Sequence, residues 1–245
     1  MSTELPDHWL QWPADHPLHA LRLQLMPERA LFQPDTGTLF VADVHIGKAA
    51  VFRARGLPVP QGTTTGTLAR LSQAVERTAA RRLVVLGDFL HARESQATAT
   101  MAALSAWRER HAELDCCVVE GNHDRHAGRV QGVLGIRTLP GPYAEGGLLG
   151  VHEPPAAGAD ESEHVALRAL TLAGHVHPVV RLSSRRDSFR LPCFWLQGSV
   201  LTLPAFGEFT GGHLVGRGAG TPVPQRFFVV SETVRPLPPR RGDAD

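Results

Sequence analysis

Short apolar runs, most ending at a glycine or an acid, alternate with amphipathic stretches through the first half of the chain. Leu18 to Met26 alternates apolar and polar positions, the period of a half-buried strand. Ala30-Leu31-Phe32 and Thr38 to Ala42 flank Pro34-Asp35-Thr36-Gly37, a turn signal that predicts a hairpin whose second strand ends at Asp43. Thr63 to Arg82 carries Leu68, Leu71, Val75 and Ala79 at helical spacing, with arginines on the outer face. Leu83 to Leu86 is continuously apolar, as in a strand buried on both faces, and runs into Gly87-Asp88. A second helix is expected over Ala97 to Glu113, with Met101, Leu104 and Trp107 inside. Cys116 to Val119 is the next buried strand, ending at Gly121-Asn122. Leu148 to Val151 ends at His152, and Ala169 to Ala173 ends at Gly174-His175.

Strand, helix, strand, helix, strand is the order of an α/β sheet with parallel strands. The second half changes character: Cys193 to Leu203, His213 to Val215 and Arg226 to Val230 are strand-like, broken by Gly and Pro, with little helix. It reads as a second sheet packed on the first, with helices outside. Glu153 to Ala166 lacks periodicity and holds Pro154-Pro155, so a surface loop is expected there. No mid-chain linker or internal repeat is visible, which favours one domain over residues 1–236, with a frayed Pro- and Arg-rich tail over 237–245.

Composition narrows the class. The 245 residues are 42% hydrophobic and 20% charged, ordinary for a soluble protein. No apolar run approaches the roughly 20 residues that span a bilayer, and Met1 to Gln11 has acids and no apolar signal-peptide core. Cys116, Cys117 and Cys193 sit in apolar runs without zinc-finger spacing, so buried reduced thiols and a cytoplasmic location are expected. The net charge of +1 is too balanced for a protein that coats duplexes. A local positive path would still suffice for a nucleic-acid substrate. Nearly all the basic charge is arginine, with Lys48 the single lysine.

Seven candidate metal ligands fall at the ends of these runs: Asp43 and His45, Asp88, Asn122, His152, and His175 and His177. Ligands of an open α/β sheet gather beyond the carboxyl ends of its strands. Asp43 and His45, like His175 and His177, lie two apart, a spacing that puts both side chains on one face of an extended segment. Carboxylate, imidazole and amide oxygen without thiolate suit divalent Mn, Fe, Ni, Co or Zn. Asp88 has two oxygens and could bridge two cations. Each piece alone is weak; Gly-Asp, Gly-Asn-His-Asp and Gly-His-x-His in this order are hard to obtain by accident.

This combination resembles the calcineurin-like metallophosphoesterase superfamily over roughly Leu39 to Gly212. The resemblance implies a four-layer α-β-β-α sandwich with a dinuclear centre, manganese first among its metals. It implies that Asp43, His45 and His177 hold one metal, that Asn122, His152 and His175 hold the other, and that Asp88 bridges. His123 would steady or protonate the leaving oxygen, oriented by Asp124, while a hydroxide between the metals attacks phosphorus in line. Asp43-Val-His45-Ile-Gly47-Lys48, His152-Glu153-Pro154, Gly174-His175-Val-His177-Pro178 and Leu203-Pro204-Ala205-Phe206-Gly207-x-Phe209-Thr210-Gly211-Gly212 are similar to the bacterial ligase-associated DNA damage response endonuclease (PdeM) family. That likeness implies a nucleic-acid phosphodiester as substrate and a functional association with a DNA ligase, a helicase and an exonuclease.

Other residues carry less. Lys48, His91 and Arg125 are candidate substrate contacts. Arg53, Arg55, Arg129, Arg181, Arg185 and Arg186 could line a phosphate-tracking groove, although a solvated face is the plainer reading for each. Trp9, Trp12, Trp107 and Trp195 could stack on bases, with core packing favoured for Trp107 and Trp195. Phe206 to Gly212 could shape a turn near the site. The rival readings are a small-molecule phosphodiesterase or pyrophosphatase on the same fold, and a non-catalytic scaffold.

Overall fold

The computed structural model describes residues 7–54, 56–57, 59, 62–124, 132, 134–156, 169–184, 186–208, 210–216 and 224–238. Arg55, Arg125, Arg129, Arg185 and Phe209, most of the loop expected over Glu153 to Ala166, and the tail beyond Pro238 lie outside these residues.

Two large mixed sheets make an α/β fold, as the pattern of runs predicts. The first begins with an antiparallel meander of β1 (His8–Leu10), β2 (Leu23–Met26), β3 (Ala30–Gln33) and β4 (Thr38–Val41). It continues in parallel through β5 (Arg82–Leu86), β6 (Asp115–Val119) and β7 (Arg137–Leu139). The β3–β4 hairpin turns at Pro34 to Gly37, where the Gly37 N–H donates to the Pro34 carbonyl at 3.2 Å. Helices α1 (Lys48–Ala54), α2 (Thr63–Thr78) and α3 (Thr98–Arg110) connect the parallel strands, and a 3-10 turn at Arg93–Gln96 precedes α3.

The second sheet contains β8 (Tyr143–Glu145), β9 (Leu148–Gly150), β10 (Leu170–Ala173), β11 (Pro178–Ser183), β12 (Ser188–Gln197), β13 (Val200–Thr202) and β14 (His213–Leu214). Strands β15 (Gln225–Val230) and β16 (Thr233–Pro236) add to it beside β12. Strands β9, β10 and β13 run parallel at its centre.

The pleat explains the layers. Leu39, Val41, Leu83, Val85, Cys116 and Val118 face α2 and α3, whose Leu68, Leu71, Val75, Leu104 and Trp107 complete that core. The intervening Phe40, Val84, Leu86, Cys117 and Val119 face the second sheet and meet Leu172, Phe194, Leu196 and Leu201. A central strand apolar at every position is therefore serving two cores. Cys116, Cys117 and Cys193 are buried and unpaired, and burial raises all three thiol pKa values to about 11 or 12. Among the described residues no helix is long and apolar enough to cross a membrane.

Several boundaries differ from the periodicity. Leu18 is buried but belongs to a turn, where the Leu21 N–H donates to its carbonyl, so β2 starts only at Leu23. Helix α2 stops at Thr78 because Ala79 turns left-handed at φ 49° and its N–H caps the Glu76 carbonyl. Cys193 to Leu203 is not one strand: Gly198, at φ 52°, folds β12 back onto β13 as an antiparallel pair. Strands β1, β7, β8, β11 and β16 and helix α1 have no clear pattern in the sequence.

Phe194 is fully buried between the sheets. Phe194→Ala is expected to cost about 3–5 kcal/mol, read as a lower urea midpoint at unchanged slope; a cost below about 1 kcal/mol would show that the sheets do not depend on this contact.

Candidate metal centre

Every candidate ligand leaves the carboxyl end of a strand. Asp43 follows β4, Asp88 follows β5 and Asn122 follows β6 in the first sheet; His152 follows β9 and His175 follows β10 in the second. Backbone hydrogen bonds tie neighbouring ends together: Asp43 N–H to Gly87 O at 3.2 Å, His45 N–H to Asp88 O at 2.8 Å and Gly174 N–H to His152 O at 2.9 Å.

Asp43, His45, Asp88, His175 and His177 all have left-handed backbone, with φ between 46° and 66°. L-residues with side chains rarely adopt it, and such strain persists only where the surroundings fix it. Here the left-handed kink turns each side chain inward as its strand ends. Two glycines let the ends come close. A Cβ on Gly87 would lie 2.1 Å from His152 Nδ1, and one on Gly121 would lie 2.4 Å from Asp88 Oδ1.

The seven side chains converge. His177 Nε2 is 3.3 Å from Asp43 Oδ1, and His45 Nε2 is 3.7 Å from Asp88 Oδ2. His152 Nε2 lies 3.6 Å from Asp88 Oδ1, 2.8 Å from Asn122 Oδ1 and 3.2 Å from His175 Nδ1. Three overlapping groups have donor atoms close enough to hold a cation: Asp43, His45 and His177; Asp43, Asp88 and His152; and His152, Glu153 and His175. Glu153, exposed and one residue past His152, is an addition that the sequence reading did not count as a ligand.

The protonation pattern suits cation binding. The His152 and His177 Nδ1 atoms face the Leu86 and Thr210 carbonyls at 3.0 and 3.1 Å. A carbonyl only accepts, so Nδ1 must donate, and when the ring is neutral Nε2 keeps its lone pair for the cavity. Burial, helped by Lys48 and the neighbouring imidazoles, drives the His45 pKa far down and leaves that ring neutral. For His177 burial acts downward, but the Asp43 carboxylate and the Thr210 carbonyl outweigh it and the pKa is raised. Asp43 and Asp88 are buried, and Asp43 Oδ1 has no hydrogen-bond partner among the described residues. Two buried carboxylates, ringed by imidazoles, concentrate negative charge and oxygen donors at one spot, which suits divalent cations.

His123 stands beside this group, its Nε2 3.9 Å from Asp88 Oδ2. The expectation that Asp124 orients its ring is corrected here. The ring Nδ1 meets the His91 carbonyl at 2.9 Å, and the His91 ring stacks on it at 4.8 Å. Asp124 instead accepts the N–H groups of Phe89, Leu90 and Gly121 at 3.0–3.2 Å, locking the Asp88 and Asn122 turns together. Burial pushes its carboxyl up to about 6, against those hydrogen bonds. Lys48 heads α1; burial lowers its pKa while Asp88 and Asp43 pull it upward.

The structure also gives Leu203 to Thr210 a role that sequence reasoning left open. Ala205 pairs with Ala42, Phe206 N–H donates to Ala42 O at 2.8 Å, and Gly207 N–H donates to Asp43 O at 3.1 Å. Thr210 supplies the carbonyl that orients His177. Glycines in the motif were the available signal: a Cβ on Gly207 would lie 2.3 Å from the Val44 carbonyl oxygen. Trp107 is core and Trp195 packs on the outer face of the second sheet. Trp9 and Trp12 line a cavity of about 620 Å³ that contains none of the candidate ligands.

No protein-family model matches this chain, and no curated protein does either. Among solved structures, the chain is similar to the crystal structure of Pseudomonas putida nuclease MPE. The two share 36% identity over 94% of this chain and 100% of that one, with a TM-score of 0.76. A phosphoesterase from E. coli, Yfce, is 14% identical over 80% of this chain and 95% of that one, with a TM-score of 0.43.

The contact between Gly121 and Asp88 makes a steric prediction. Gly121→Ala should bind Mn²⁺ at least tenfold more weakly by calorimetry, because the new methyl, 2.4 Å from the Asp88 carboxylate and 2.5 Å from the Asp88 backbone nitrogen, must displace both. Wild-type affinity would show that the Asp88 position does not govern binding.

Proposed function

The chain belongs to the calcineurin-like metallophosphoesterases, in the family of the Pseudomonas putida nuclease, and from that membership we propose that it cleaves nucleic-acid phosphodiesters using two divalent cations at the strand ends. It is a metal-dependent phosphoesterase. The observation that carries the finer reading is the overlap of the three donor groups through Asp43 and His152, which supports adjoining cation positions over a single one.

In this reading Asp43, His45 and His177 hold one cation, Asn122, His152 and His175 hold the other, and Asp88 lies between them. The donor set fits: buried carboxylates, a neutral His45, and rings whose Nδ1 is occupied by a carbonyl. Bound there, the cations supply Lewis acidity toward the phosphate oxygens and the attacking water. The chain's own groups do the rest. Asp88 and Asp43 balance the cationic charge, and Asp124 holds the Asp88 and Asn122 turns in register. His123, with Nδ1 fixed on the His91 carbonyl, carries a proton on Nε2 to the leaving oxygen. Lys48 steadies the incoming phosphate. Arg125 is a further candidate contact outside the described residues. Manganese is the proposed metal, since nitrogen and oxygen donors without thiolate accept it. The family resemblance supports action in a cytoplasmic DNA damage response alongside a ligase, a helicase and an exonuclease.

Asp88→Ala should reduce turnover of an aryl phosphodiester to background while circular dichroism stays native; near-wild-type turnover would refute its place between the cations. His123→Ala should slow cleavage of an oligonucleotide by about 10²–10⁴ and bis(p-nitrophenyl) phosphate far less, because nitrophenolate leaves without a proton. Equal losses on both substrates would remove His123 from the leaving-group side.

A further inference from the structure

The β11–β12 hairpin stands beyond the end of the molecule at which the candidate ligands gather. Strand β13 runs toward that end: Leu203 N–H bonds Ala173 O, and Phe206 N–H bonds Ala42 O. Strand β12 is antiparallel to β13, with Trp195 opposite Thr202, so its earlier residues continue past the site. Strand β11 leaves the site directly after His177 and pairs with β12 from Val179↔Pro192 to Ser183↔Ser188. At about 3.3 Å per residue, the tip stands about 16 Å beyond Pro178. Neither strand is buried there, as expected of a free ribbon: Arg181, Ser183, Ser188, Phe189 and Arg190 are all exposed.

Pleat alternation gives the ribbon two faces. Phe194 and Leu196 point into the core between the sheets, so Pro192, Arg190 and Ser188 lie on that same side. Arg181 is directly opposite Arg190, and so joins them on the side that looks across the strand ends of the first sheet. Phe189 continues the other row, with Leu191, Cys193 and Trp195 of the outer cluster. Two like charges directly opposite one another destabilise a strand pair. No carboxylate pairs with Arg181, Arg186 or Arg190 among the described residues, and Arg190 reaches only the Gly212 carbonyl. A cross-strand arginine pair of this kind, beside a phosphoesterase centre, is a match for a chain of phosphates.

We propose that this ribbon is the arm along which a nucleic-acid strand leaves the metal centre, with Arg181 and Arg190 each meeting a backbone phosphate. The proposal rests on the phosphodiesterase reading above and adds where the substrate lies. The phosphates pass on the arginine face only, leaving Phe189 on the back of the arm.

The test compares wild type with the double variant Arg181→Gln/Arg190→Gln, using a fluorescein-labelled single-stranded oligodeoxynucleotide and bis(p-nitrophenyl) phosphate. The aryl diester is too short to reach the ribbon, so its turnover should stay at wild-type values and report an intact centre. Oligonucleotide KM should rise about tenfold or more. The slope of log affinity against log salt should shrink by about 1.4, at about 0.7 per lost phosphate contact. Phe189→Ser should change neither quantity. Unchanged oligonucleotide affinity and salt slope in the arginine variant would overturn the proposal while leaving the nuclease reading intact, and so would an equal loss in Phe189→Ser. Wild-type protein that turns over the aryl diester but neither binds nor cleaves the oligonucleotide would overturn both.

Discussion

Two carboxylates, Asp43 and Asp88, are removed from water at the meeting point of the two sheets, and among the described residues no arginine is paired with either. A buried anion costs several kcal/mol unless a positive charge answers it. The imidazoles around them answer it in part: His45 is held neutral and His152 presents Nε2 toward Asp88 with Nδ1 committed to a carbonyl, while His177, against Asp43, has its pKa raised. Divalent cations held by these donors would offset that charge, and much of the local structure serves to gather the donors in one place. Five ligand candidates accept left-handed backbone, and glycine occupies the positions where a methyl group would collide with His152 or Asp88.

The scaffold holds that arrangement from outside. Helix α2 sends Arg70 to the Phe206 carbonyl and over the Phe206 ring, and Arg29 reaches the Ala205 carbonyl at 3.4 Å. The same segment bonds the Asp43 backbone and orients His177 through Thr210. Asp124 does the equivalent work between the β5 and β6 ends. Strain at the ligands is thus opposed by contacts made one residue further out, and the site belongs to both sheets at once.

Much of this was legible in the sequence. Strands buried on both faces, such as Leu83 to Leu86, announce themselves as unbroken apolar runs, and a Gly-Asp or Gly-His at their ends marks where donors can gather. Short edge strands were not legible: β1, β7 and β8 have three residues each, too few for a period to be counted. The break at Gly198 was hidden because both flanking segments are apolar. The orientation of His123 by the His91 backbone could not be read either, since any residue at position 91 offers a carbonyl. Asp124 looked like the partner by adjacency, but its carboxylate turns to the backbone N–H groups instead.

The most direct test is anomalous diffraction from crystals grown with Mn²⁺. The account predicts two manganese peaks in each molecule, one contacting Asp43, His45 and His177, the other contacting Asn122, His152 and His175, with an Asp88 oxygen between. A single peak, or ions bound away from Asp88, would contradict it.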